Sequence, residues 1–71
     1  MTRDECLMKR RGLLRIARKS RDVNVTERCR TMATNLLLLA DRPDDERVLA
    51  AYEKNRADFD KWAAHREGAG Q

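Results

Sequence analysis

Few residues in this chain carry reactive groups, and their spacing limits what each could do. There are two cysteines, Cys6 and Cys29, one histidine, His65, and one serine, Ser20. A nucleophilic triad needs its three members within hydrogen-bond reach of one another. No acid is spaced to orient His65 towards Ser20, and a histidine near a helix C-terminus serves there as a favourable charge. The cysteines lack the paired spacing of a zinc site or a redox motif. Each has apolar neighbours at helical spacing, so buried thiols are expected. Asp41, Asp44, Asp45 and Glu46 cluster, but without the glycine and ligand spacing of a calcium loop. No glycine-rich phosphate loop is present. We therefore expect no enzyme, no metal and no cofactor.

The remaining candidates are cations. Arg11, Arg15 and Arg18 are spaced four and three apart, which aligns them in one row on a helix, with Lys19 beside it. Such a row could follow phosphates, with steep salt dependence, or meet an acidic protein surface. Arg28 and Arg30 would extend it. Lys and Arg number 16 against 12 Asp and Glu, for a net charge of +4. The surplus lies early: residues 1–30 carry +6 and residues 31–71 carry −2. That asymmetry points to an acidic partner, and the plain alternative is a solvated basic helix face.

The elements that position these residues read as helices throughout. Leu, Ala, Arg, Lys and Glu dominate, and the chain of 71 residues is short enough for one domain. Thr2 with Glu5 forms a capping-box pattern, so the first helix is expected over about residues 3–20. Cys6, Leu7, Leu13, Leu14, Ile16 and Ala17 share its apolar half. Gly12 weakens it by about 1 kcal/mol. The apolar stripe changes phase near Ser20–Asn24, where Asn24 and Glu27 suggest a second cap. One unbroken helix over residues 3–40 is the competing arrangement.

The second helix is expected over about residues 25–40. Val25, Cys29, Met32, Leu36 and Leu39 make a heptad seam. Arg42-Pro43 ends it. The third is expected over about residues 43–66, opening on Pro43 and three acids. Val48, Tyr52, Asn55, Phe59, Trp62 and Arg66 continue the heptad spacing. Residues 67–71 read as a disordered tail. A short link between two seamed helices gives an antiparallel hairpin, with Leu36, Leu39, Tyr52, Phe59 and Trp62 as core. Asn55 falls either in the seam, where it would set register, or at its wet edge.

Leu36, Leu37, Leu38 and Leu39 are consecutive, and four consecutive helical positions cover about 300° of the circumference. Leu36 and Leu39 serve the seam. Leu37 is left at its edge, where the first helix could take it, and Leu38 on the far side. Exposing two leucines forgoes on the order of 3–6 kcal/mol. A homodimeric four-helix core built on Leu37 and Leu38 would recover it. The fold class expected is thus all-α: an antiparallel helical hairpin plus a basic amphipathic N-terminal helix, as a homodimeric bundle.

No apolar run follows the N-terminus, and the leucine run is far short of the ~20 residues that span a bilayer. The first helix lacks the aromatic residues of a membrane-surface helix. A cytoplasmic protein with no membrane contact is expected. The function expected is stoichiometric binding to a specific host protein through Arg11, Arg15, Arg18 and Lys19. The alternative is nucleic-acid binding through the same face.

In size, charge and style the chain resembles the short helical accessory proteins encoded by phages and mobile elements. The likeness rests on an all-helical charged chain, the Lys9-Arg10-Arg11 segment and the hairpin. Some members of that group are anti-activators that hold a host transcription regulator. The resemblance implies binding and inhibition of a host protein, and it carries no site residue.

Overall fold

Thr2 sets the first helix. Its Oγ1 accepts the Glu5 backbone N–H at 3.2 Å, and its hydroxyl donates to the Glu5 carboxylate at 3.1 Å. The computed structural model describes residues 1–69, with side chains as far as His65. Three helices account for the regular structure: α1 (Arg3–Lys19), α2 (Val23–Asp41) and α3 (Glu46–Ala69). There is no strand among the described residues. No helix among them is long and apolar enough to cross a membrane.

The chain breaks after Lys19, so one unbroken helix over residues 3–40 is excluded. Ser20 and Asp22 hold the joint. The Asp22 N–H donates to Ser20 Oγ at 3.1 Å, and the Ser20 hydroxyl donates to the Asp22 carbonyl at 3.3 Å. This turn sets Asp22 in an extended conformation, and its carboxylate accepts the Asn24 N–H at 2.8 Å. The cap of α2 is therefore Asp22 and not Asn24. A charged carboxylate held by a local turn satisfies the helix N-terminus better than a neutral amide further on. The Thr26 hydroxyl then reaches the Ala17 carbonyl at 3.4 Å and ties the two helices together.

The next joint also differs from expectation. The Asp45 N–H bonds the Arg42 carbonyl at 3.1 Å, which places Pro43 second in a four-residue turn. Asp45 then caps α3, accepting from Arg47 N–H at 3.0 Å and Val48 N–H at 3.3 Å. Helix α3 thus starts at Glu46, not at Pro43, because the φ that proline prefers suits a turn as well as a first helical residue. It continues to Ala69, past the expected end near residue 66. Gly70 and Gln71, the end of the expected tail, lie outside the described residues.

Two contacts give the register of α2 against α3. Asn35 meets Asn55, and Arg28 meets Trp62. Seven residues along α2 correspond to seven back along α3, so the pair is antiparallel. The core is Cys6 and Leu13 from α1, Tyr52 from α3, and Cys29, Met32, Ala33, Leu36, Leu39 and Ala40 from α2. Phe59 is half-buried against it. Trp62 is half-buried beneath Arg28, at the edge of the expected core. The cysteines are separate free thiols, as antiparallel α1 and α2 place them at different heights.

Both outer helices pack on α2. Among the described residues, no Cα of α1 comes within 8 Å of one in α3. Directly packed helices have axes 8–10 Å apart, so α1 and α3 do not pack on each other. Ile16 shows the consequence. Its place on the apolar half of α1 suggested burial, yet it is 47% exposed.

Candidate partner-binding surfaces

Arg11, Arg15 and Arg18 surround a shallow concavity of about 230 Å³, with Leu14 as the fourth lining residue. All three arginines are exposed, and Leu14 is half-buried against the core. The apolar spacing of α1 turns Leu13 inward and leaves Leu14 at the edge of the α1–α2 contact. Guanidinium groups one turn apart then frame it, with their aliphatic stems available to cover it. Among the described residues, no carboxylate forms an ion pair with any of the three. Lys19 is also exposed but lies about 100° further round the helix than Arg18 and does not line the concavity.

Arg28 does not extend this row. Its guanidinium lies over the Trp62 ring, on the side of α2 that faces α3. Arg30, two residues on, is about 200° round the same helix and exposed. Two arginines close in sequence thus lie on nearly opposite sides of α2.

The outer face of α2 forms the second surface. Leu37 is 47% exposed and Leu38 is 51% exposed. Leu37 is therefore not covered by α1. Thr31 and Thr34 lie on the same side and are exposed. Their hydroxyls donate to the carbonyls of Glu27 and Arg30, each at 3.0 Å. With the hydroxyls bonded to the helix itself, the two threonines are free to offer methyl groups outward. No residue from Thr31 to Ala40 is charged. This face is therefore apolar for about three turns.

The chemically reactive groups stay apart. Cys29 is fully buried, and burial pushes its thiol above the ordinary range, against a smaller lowering by the Arg56 charge. His65 is exposed beside Arg28, Asp58, Lys61 and Trp62 in a shallow depression. No group of three His, Cys, Asp or Glu able to hold a metal ion occurs among the described residues. Asn55, left between seam and edge by the sequence, is half-buried and donates to Asn35 Oδ1 at 2.7 Å. Heptad spacing alone did not reveal this partner. Asn35 lies just outside the seam positions, and only the pairing of α2 with α3 brings the two amides together.

Comparison with protein families, characterised proteins and solved structures finds no match to this chain.

Proposed function

We propose that this chain is a small non-enzymatic protein-binding module of the cytoplasm, which inhibits or modulates a host protein such as a transcription regulator. The observation that carries this reading is Leu14 set among Arg11, Arg15 and Arg18. A row of cations around an apolar residue suits a protein surface, where arginines and a central apolar contact concentrate binding energy. Lys19 adds charge at the edge of the same helix. Leu37 and Leu38, exposed on the uncharged outer face of α2, support a homodimer built on that face. A two-fold dimer presents two copies of the arginine row, a geometry suited to a symmetric partner.

Nucleic-acid binding is the second reading, favoured by the absence of carboxylate partners for the three arginines among the described residues. Affinity capture from a bacterial lysate, with and without nuclease, separates the two. A captured protein that survives nuclease and is lost with Arg15→Glu/Arg18→Glu supports the binding module. Nucleic acid that leaves as salt rises, with no protein retained, overturns it. Sedimentation equilibrium tests the dimer. Leu38→Glu should give monomers, and an intact dimer with that change places the interface elsewhere.

A further inference from the structure

Helix α2 has two neighbours whose backbones stay apart among the described residues. Its residues facing α1 and those facing α3 lie on the two flanks of one buried stripe, about 160° apart. Thr26 and Ala33 lie on the first side, Arg28 and Asn35 on the second. Helices α1 and α3 thus flank α2, and among the described residues no Cα of one comes within 8 Å of the other. A groove of about 460 Å³ lies between them.

Its lining has the pattern of a helix contact. From α1 come Lys9, Gly12, Leu13 and Ile16, which are the positions i, i+3, i+4 and i+7 of a single helix face. From α3 come Tyr52 and Arg56. A Cβ built on Gly12 would meet nothing within 4 Å, so the wall there is open to close approach by another backbone. The half-exposed Ile16 belongs to this wall.

Two further observations specify what would fit. The Tyr52 side chain is only 7% exposed, and among the described residues its hydroxyl has no hydrogen-bond partner. Among the described residues no buried side-chain polar atom lacks a partner, so the hydroxyl reaches solvent, and Tyr52 lines the groove. The rim is cationic on both walls, with Lys9 on α1 and Arg56 on α3. Arg56 also pairs with Asp60 at 3.5 Å, an exposed contact on one helix that is readily exchanged.

We propose that this groove is a docking site for an acidic amphipathic helix of a partner protein. The apolar side of that helix would lie on Leu13 and Ile16 and close to Gly12. Its carboxylates would meet Lys9 and Arg56, and a side-chain oxygen would accept from Tyr52. Binding would add a fourth helix to the three, the helix-in-groove mode of recognition. The site is separate from the arginine row on the other side of α1, and its fate does not depend on that row.

The test uses the full chain and a labelled synthetic helix of leucine and glutamate in heptad order. Controls are a scrambled peptide of equal composition and the lysine counterpart of the first. Fluorescence anisotropy reports binding, and circular dichroism reports folding. The acidic amphipathic peptide should bind, and the scrambled and lysine peptides at least about tenfold more weakly, a difference of about 1.4 kcal/mol. Gly12→Leu should fill the groove and abolish binding while leaving helicity intact, since leucine is the better helix former. Tyr52→Phe should weaken binding several-fold with an unchanged melting temperature. Arg15→Glu/Arg18→Glu should leave the groove competent. Equal binding of the scrambled peptide, or undiminished binding to Gly12→Leu, overturns the proposal. So does self-association abolished by Gly12→Leu, which would assign the groove to a second copy of this chain.

Discussion

The guanidinium carbon of Arg28 lies 4.6 Å from the centroid of the Trp62 ring. Phe59 flanks the same indole, with ring centroids 6.0 Å apart and planes tilted by 45°. The far end of the α2–α3 pair is thus closed by a cation on an aromatic face, where the helices no longer share a fully buried core. Arg28→Gln should cost about 0.5–1 kcal/mol, the range for a partly exposed cation–π contact. Denaturant unfolding followed by Trp62 emission measures it. An unchanged midpoint would mean that the stack contributes nothing to stability.

Gly12 lies in the middle of α1 without a positive φ and without a neighbour within 4 Å of a Cβ. Neither a turn nor packing within the chain requires glycine there. Gly12→Ala should therefore stabilise the fold by about 1 kcal/mol through helix propensity and a less flexible unfolded chain. For a domain of this size, that corresponds to a melting temperature about 4–8 °C higher. A lower melting temperature would show that the native chain does need the glycine.

Asn55 Nδ2 donates to Asn35 Oδ1 at 2.7 Å, between half-buried amides on facing helices. Removing one partner leaves the other with an unmet polar group. Asn55→Leu alone should cost about 1–3 kcal/mol, and Asn35→Leu/Asn55→Leu together much less. A double-mutant cycle reads the coupling directly. If the double substitution costs the sum of the single ones, the hydrogen bond is not the source of the effect.

Burial raises the Cys29 thiol pKa, and the lowering by Arg56 is the smaller influence. The fold thus favours the neutral thiol. Its contribution to stability is complete below the thiol pKa of the unfolded chain and is lost as pH rises from there through the folded value. As pH rises through the free thiol pKa of about 8.5 and above, the natural chain should lose stability more steeply than Cys29→Ala. Parallel slopes would remove Cys29 from the alkaline loss. Thiol-specific labelling should likewise be slow in the folded chain and fast in denaturant.

Several features of the fold were legible before any tertiary contact was considered. Thr2 with Glu5 marked the start of α1, and the phase change near Ser20 marked the first joint. The heptads of α2 and α3 pointed to their pairing. These signals are local: a cap involves one turn, and a stripe shows which side of its own helix is apolar. The errors were local as well. Asn24 and Pro43 carry start signals, but Asp22 and Asp45 stand beside them as stronger acceptors, and a charged side chain in a tight turn wins that competition.

The candidate surfaces were legible in part. The arginine row follows from its spacing alone, because a helix with one buried stripe must turn the opposite residues outward. Tyr52 read as core, which it is; its open hydroxyl on a groove could not be read from a seam position.

By itself, then, the sequence determined helical segments, the apolar stripe of each and the row formed by Arg11, Arg15 and Arg18; the structure decided that the first two segments are separate helices. Only the tertiary structure decided which neighbour each side of α2 would meet. It sent Arg28 to Trp62, left Leu37 uncovered by α1, and held the α1 backbone away from α3 so that Ile16 and Tyr52 border a groove. The physical reason is rotation. Periodicity marks the apolar arc of a helix, but the angle at which two neighbours divide that arc depends on how all three sets of side chains pack at once.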